Sequence, residues 1–197
     1  MNMNRTLWTK VYPIFKPEEN WGDSTMVKAD LVFLLYFLRV EMGVPFVLHC
    51  AYDLSGHSTD PPSQHFYGKA ADGHYVGMTF KQCVDKLQDI LHTKTIGDVR
   101  KHYALFMQGK DDDILLGDVI GFGIYPDWLP AGGVHLDVRG YKARWGAYNK
   151  VIGRDADGKP RVKQTYVCFE EAYTRIVAKT PLPGAPTQVH AGQKHKK

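Results

Sequence analysis

The sequence is poor in cysteine and contains no long apolar run. Its 197 residues include three isolated cysteines, Cys50, Cys83 and Cys168, and no CxxC pair. An odd, widely spaced set of this kind argues against a disulfide framework and favours cysteines that act as small buried apolar residues. No run reaches the roughly 18 apolar residues of a membrane helix, so we expect no membrane span.

The N-terminal segment MNMNRTLWTKVYPIFK has no apolar core and no small-residue cleavage site. It therefore predicts no secretory signal, and we expect a soluble protein synthesised in the cytoplasm.

The chain has only a small excess of positive over negative charge. The net charge is +4, and part of it lies in Lys194, Lys196 and Lys197 at the end of the chain. Nucleic-acid binding needs a clustered basic face, and no cluster of that kind occurs, so we expect no nucleic-acid partner. The chain is 44% hydrophobic and 12% aromatic, which is enough to bury a core without disulfides.

Composition divides the chain into three parts. Residues 1–23 contain Pro13 and Pro17 and predict an irregular, partly packed N-terminal arm. Residues 24–179 predict a single domain. Residues 180–197 are rich in proline, glycine and lysine and predict a disordered tail.

Apolar periodicity predicts an α+β domain with a small antiparallel sheet flanked by helices. Ser24 and Thr79 are candidate helix caps, and Gly43 is a candidate helix stop. The predicted helices cover residues 24–42, 80–92, 96–108 and 163–178. The predicted strands cover residues 46–48, 68–76, 119–125 and 133–139.

The most informative segment is Ser63-Gln64-His65-Phe66-Tyr67-Gly68-Lys69-Ala70-Ala71-Asp72. A zinc ion takes imidazole nitrogen and carboxylate oxygen as ligands. His65 and Asp72 are too far apart to bind one ion from a single helix, but a turn at Gly68 would let them converge. Taken alone, the pair also fits an ordinary loop histidine and a turn-capping aspartate.

A second segment, Gly133-Val134-His135-Leu136-Asp137-Val138-Arg139-Gly140, alternates apolar and polar residues. On a strand, His135, Asp137 and Arg139 would share one face, and the valines and leucine would share the other. A solvated strand face is the alternative, although such a face favours Thr, Lys and Glu.

The first segment matches S-x-H-x-x-G-x-A-x-D, and the chain continues with G-x-G-x-Y-P at 121–126, H-x-D-x-R-G at 135–140 and Arg144-Trp145. Over residues 24–150 this pattern resembles the zinc D-Ala-D-Ala carboxypeptidase family (metallopeptidase family fifteen, C-terminal-domain type). The family's LAS relatives include phage endolysins and the hedgehog signalling domain. The resemblance implies a hedgehog/D,D-peptidase-like scaffold that holds one Zn²⁺ through His65, Asp72 and His135.

Two features depart from the family pattern. The position three residues before the third ligand, where many members have a catalytic carboxylate, is Gly132. Asp137 is our candidate for the general base or for a residue that orients His135, and Asp127 is the alternative base. The arginine that many relatives carry after the first strand is also missing, and His49 or Arg139 is a candidate to replace it.

The resemblance implies a zinc-dependent peptidase that hydrolyses amide bonds of peptidoglycan stem peptides, as a D,D-carboxypeptidase or as an endolysin-type endopeptidase. Such an enzyme would act on the cell wall, and without a signal peptide it would need phage-type release. The alternative is a non-catalytic zinc-containing module that binds the cell wall or a protein, for example as a phage particle component. The sequence leaves the oligomeric state open.

Overall fold

The computed structural model describes residues 1–54, 62–128, 131–155 and 157–179. The described chain has an α+β architecture, as predicted, with a six-stranded mixed sheet and helices packed against it. In chain order its elements are α1 (Arg5–Val11), α2 (Ala29–Met42), β1 (Phe46–Cys50), β2 (Ala70–Tyr75), α3 (Phe80–Thr93), α4 (Ile96–Arg100), α5 (Leu116–Val119), β3 (Gly121–Tyr125), β4 (Gly133–Asp137), β5 (Ala143–Arg154), β6 (Pro160–Val167) and α6 (Phe169–Lys179).

The sheet has the strand order β1-β2-β4-β3-β5-β6 and is larger than the predicted one. The prediction of a purely antiparallel sheet is wrong, because β3 and β5 are parallel. β4 ends at Asp137 opposite Gly121, the first residue of β3. The chain then crosses the end of β3 and starts β5 at Ala143, also opposite Gly121, so β5 runs in the same direction as β3.

Helix α2 lies at the centre of the core, and most of its residues are buried. It ends at Gly43, whose left-handed φ of 70° confirms the predicted stop. The predicted cap at Ser24 is wrong by four residues, since Lys28 occupies the N-cap position. Asp23 accepts hydrogen bonds from the backbone N–H and the hydroxyl of Thr25, which holds this segment in a turn instead of a helix.

Helix α3 confirms the prediction for residues 80–92. Thr79 and Gln82 form a reciprocal capping box at its start, and its apolar residues Cys83, Leu87, Ile90 and Leu91 are buried. The predicted helix over 96–108 is shorter, since only Ile96–Arg100 is helical. The Arg100 guanidinium donates to the carbonyls of Phe106 and Met107 and so stabilises the turns that follow.

The C-terminal region differs most from prediction. Residues 160–167 form strand β6, so residues 163–167 are not the first part of the predicted helix, and in this region only Phe169–Lys179 is helical. β-branched and aromatic residues favour a strand at 165–167, and the long strand β5, which the sequence pattern does not predict, supplies its partner. The predicted tail, residues 180–197, lies outside the described residues.

The N-terminal arm contains helix α1 where an irregular segment is predicted. Its aromatic residues Trp8, Phe15 and Trp21 are buried, and the Trp21 ring contacts the other two rings edge to face. They belong to the same hydrophobic core as the rest of the chain. Among the helices of the described residues, none combines the length and the hydropathy needed to cross a bilayer.

Candidate metal centre

The turn that precedes β2 positions His65. Gly68 has a φ of +64°, and a side chain there would collide with the backbone of Met26. Glycine is therefore required at this turn, as the sequence predicts. Nδ1 of His65 donates to the carbonyl of Ala51 at 2.6 Å, which leaves Nε2 pointing toward Asp72 and His135.

Asp72 and His135 lie directly opposite each other on the paired strands β2 and β4. The same row of the sheet continues through Gly123 on β3 to Trp145 on β5. Opposite residues on paired strands project from the same face of a sheet. The row therefore places the carboxylate, the imidazole and the indole side by side, and glycine leaves room between them.

His65, Asp72 and His135 converge on one point, as the sequence predicts. Nε2 of His65 is 3.2 Å from Nδ1 of His135 and 3.3 Å from Oδ2 of Asp72. Nδ1 of His135 is 2.9 Å from Oδ1 of Asp72. A tetrahedron with zinc–ligand bonds of ~2.0–2.1 Å has edges of about 3.3 Å. Ligand atoms at these separations could hold one metal ion.

In both histidines, the ring nitrogen that faces away from the ligand cluster is also fixed by a hydrogen bond. His65 donates Nδ1–H to a backbone carbonyl, and His135 donates Nε2–H to Oδ2 of Asp137 at 2.9 Å. Metal-binding histidines are commonly oriented by such partners, which set the tautomer and direct the other nitrogen to the ion. The donor chemistry of the three residues therefore fits a metal ion.

Asp137 is completely buried, and its carboxylate is fully used. Besides the hydrogen bond from His135, it accepts three from Arg139: from Nε at 2.7 Å, from Nη2 at 2.5 Å and from the backbone N–H at 3.1 Å. Gly121 lies opposite Asp137, and a side chain there would overlap this carboxylate. Burial opposes ionisation, but the hydrogen bonds from His135 and Arg139 outweigh it and lower the pKa of Asp137 to about 2.

The site is charged in the metal-free chain. Burial opposes protonation of His65, but its hydrogen bond with Asp72 outweighs burial and raises its pKa to about 9. Burial also opposes protonation of His135, but the hydrogen bonds that it donates to Asp137 and Asp72 outweigh burial and raise its pKa to about 9. Burial favours the neutral form of Asp72, but the two imidazoles hold its pKa well below the usual range. A cation that binds here replaces the imidazole protons.

The residues predicted to be catalytic occupy different positions. Arg139 lines the cleft beside the three ligands. Asp137 contacts the His135 nitrogen that faces away from the ligand cluster. The alternative base, Asp127, accepts Arg175 Nη2 at 3.1 Å and the Asn149 backbone N–H at 2.7 Å, and it is absent from the cleft lining that the structure describes.

Gly132, at the position of the family's usual base, has a packing role. Its φ is +79°, and a side chain there would lie 2.5 Å from the Phe80 ring. Among the described residues that line the cleft, Asp72 is the only carboxylate. His49, a candidate to replace the missing arginine, is paired with His74 at 2.8 Å between ring nitrogens instead of lining this cleft.

The cleft beside the ligands has a volume of about 390 Å³, and aromatic side chains form much of its wall. Tyr125 and Trp128 stack with ring centroids 4.0 Å apart, and Trp145 Nε1 donates to the Tyr125 hydroxyl at 3.2 Å. Tyr141 and Tyr166 complete the aromatic set. The sequence motifs alone do not assign these rings to the site. Gly123 and Gly121, which lie opposite His135 and Asp137, were the sequence features that could have indicated close packing at the site. Glycine within a strand often marks the close approach of a neighbouring group.

No protein-family model, no curated protein and no solved structure matches this chain. The resemblance to zinc carboxypeptidases therefore depends on the motifs themselves.

Proposed function

We propose that the protein is a zinc-dependent peptidase that hydrolyses amide bonds of peptidoglycan stem peptides, on a D,D-peptidase-like scaffold. The observation that carries the proposal is the convergence of His65, Asp72 and His135 beside an accessible cleft. These are the three residues that the motifs assign as ligands.

Zinc is the proposed ion because two imidazoles and one carboxylate match its preferred donors. Three protein ligands are typical of catalytic zinc sites, which keep one position for water or substrate. Zinc bound in such a site lowers the pKa of a coordinated water and polarises a carbonyl oxygen.

The chain's own residues would bind and orient the substrate. The guanidinium of Arg139 lines the cleft next to the ligands and carries the positive charge that a peptide carboxylate or a developing oxyanion needs. Asp137 holds both Arg139 and His135 in place. The aromatic wall offers apolar surface to the small side chains and aliphatic stems of a wall peptide.

The contacts of Asp137 support a positioning role rather than that of general base. Its oxygens face His135 Nε2 and Arg139, while the ligand atoms cluster around His135 Nδ1. The contacts of Asp127 with Arg175 and Asn149 give no support to the alternative base.

A second candidate function is a non-catalytic zinc module that binds a cell-wall peptide or a protein, for example within a phage particle. It is favoured by one observation, the lack of a second carboxylate in the described cleft lining. A binding module needs the charged and aromatic cleft but no proton acceptor.

Two measurements test the proposal. Elemental analysis of the purified protein should give about one zinc per chain, and replacement of His65, Asp72 or His135 by Ala should remove it. His74→Ala is the matched control, because His74 lies on the same strand as Asp72 but outside the ligand cluster. Retention of stoichiometric zinc by all three ligand variants would disprove the ligand assignment.

Incubation with muropeptides, followed by mass spectrometry of the products, separates the two functions. The peptidase predicts loss of a terminal D-alanine or cleavage within the stem peptide. Zinc binding and muropeptide binding without any cleavage would support the binding module.

A further inference from the structure

The hairpin formed by β5 and β6 extends well beyond the rest of the sheet. β3 pairs with β5 only as far as Ile124 and Gly146, whereas β5 and β6 stay paired out to Arg154 and Pro160. Helix α6 covers the inner part, where the Tyr148 hydroxyl donates to Glu171. The outer part is a two-stranded ribbon, a structure of marginal stability in water unless it packs against something.

The two faces of this ribbon differ chemically. On one face the cross-strand pairs are Ala147–Tyr166, Asn149–Gln164 and Val151–Val162, in the same alternation as the cleft residue Trp145. Gln164 and Tyr166 themselves line the cleft. The face therefore continues the cleft wall outward to the two valines.

The other face carries like charges. Lys150 lies directly opposite Lys163, and Arg161 follows on the same side of β6. Directly opposed like charges destabilise a ribbon. These cations of the ribbon lie on the face opposite the cleft, whereas the cleft side of the ribbon carries amide, aromatic and apolar groups.

The apolar residues on the cleft side are unusually accessible. Val151, Val162 and Tyr166 are 65%, 56% and 68% exposed. An exposed cross-strand valine pair that adjoins a binding cleft is surface that a ligand could bury. We define Asn149, Val151, Val162 and Gln164 as the outer platform.

We propose that the outer platform binds the part of a peptidoglycan polymer that lies beyond the scissile peptide, so that the natural substrate is the polymeric wall rather than a free stem peptide. This inference rests on the proposed function and on the continuity of the platform with the cleft. The two amides can donate to and accept from sugar hydroxyls and acetamido groups. The valine pair and the Tyr166 ring offer apolar surface to the C–H faces of the sugars.

The test compares a polymeric and a short probe. Purified peptidoglycan sacculi and a soluble stem pentapeptide are incubated with the wild-type chain and with Val151→Thr/Val162→Thr. Threonine has nearly the shape of valine and keeps its strand propensity, so the ribbon should still form. Asn149→Ala is a second variant that leaves the valine pair intact. Lys150→Ala/Lys163→Ala is the matched control on the opposite face.

If the outer platform binds the polymer, each platform variant should lower the ratio of sacculus cleavage to pentapeptide cleavage and weaken co-sedimentation with sacculi. For the valine double variant we expect about a tenfold loss, from burial of roughly one side chain's apolar surface. The lysine control should behave as wild type. Equal losses on both probes, or an equal loss in the lysine control, would overturn the inference.

Failure of the proposed function is recognised separately. If the wild-type chain cleaves neither probe, the peptidase is disproved and co-sedimentation alone decides the inference. Wild-type binding to sacculi that the valine variant loses would then support the platform. A wild-type chain that does not bind sacculi, or a valine variant that binds them equally well, would refute it.

Discussion

The replacement Asp137→Asn gives the most informative single perturbation of the candidate metal centre. The carboxylate of Asp137 accepts four hydrogen bonds, three from Arg139 and one from His135 Nε2. An asparagine side chain has one oxygen instead of two and carries no charge. At least one of the buried N–H groups of Arg139 or His135 therefore loses its acceptor.

The magnitude follows from these contacts. A buried donor without an acceptor costs ~1–3 kcal/mol, and each 1.4 kcal/mol is a factor of ten in an equilibrium constant. Where His135 loses this acceptor, the tautomer that directs Nδ1 to the metal is no longer fixed. We therefore expect zinc affinity to fall by about 10- to 100-fold, the usual effect of removing the partner of a metal-binding histidine.

Competition of the protein with a chromogenic chelator measures this affinity, and turnover is then assayed at saturating zinc. Asp127→Asn is the matched control, because it removes a charge from the Arg175 ion pair outside the described cleft lining and should leave zinc affinity unchanged. Unchanged zinc affinity in Asp137→Asn would refute the positioning of His135. A loss of roughly 10²–10⁴-fold in turnover would then mean that Asp137 acts as the general base or that it holds Arg139 in place for the substrate. If the affinity and the turnover of Asp137→Asn both match wild type, Asp137 has neither role.

Three further predictions concern the stability of the chain. Gly121→Ala should lower the free energy of unfolding by about 1–3 kcal/mol and reduce zinc content, because the new methyl group overlaps the Asp137 carboxylate. Denaturant titration measures the first effect and elemental analysis the second. Wild-type stability and zinc content would contradict this packing. Because the pKa values of His65 and His135 are raised from 6.5 to about 9, protonation stabilises the metal-free fold fully below pH 6.5 and progressively less as the pH rises through 9. The Tm of chelator-treated protein should therefore fall over that range while the Tm of zinc-loaded protein stays level, and parallel curves would contradict the assignment. A chain truncated after residue 179 should melt within a few degrees of the full chain, because the proline-, glycine- and lysine-rich composition of residues 180–197 predicts little apolar surface to bury. A collapsed melting transition would contradict this prediction.

Local signals in the sequence were sufficient for the elements they concern. Thr79 and Gln82 are three residues apart and form the capping box, and Gly43 ends its helix in the left-handed region. The alternation around His135 predicted the shared face of His135 and Asp137, which their hydrogen bond confirms. Each of these features depends on neighbours within a few residues, so the sequence pattern contains the relevant physics.

The proposed ligands were assigned from motifs, and the structure brings them together. Zinc occupancy and peptidase activity stay predictions. The convergence itself joins residues that are 63 and 70 positions apart, and it depends on the pairing of β2 with β4.

Tertiary structure alone decided the remaining features. Thr165, Tyr166 and Val167 favour a strand locally, but only the pairing with β5 identifies residues 160–167 as strand β6. The parallel pairing of β3 with β5 brings Trp145 beside His135, and the antiparallel pairing of β3 with β4 places Gly121 against Asp137. These contacts join segments that are distant in the sequence. The entropy lost in bringing such segments together is offset only when the whole sheet forms, so periodicity within any one segment cannot reveal the contacts.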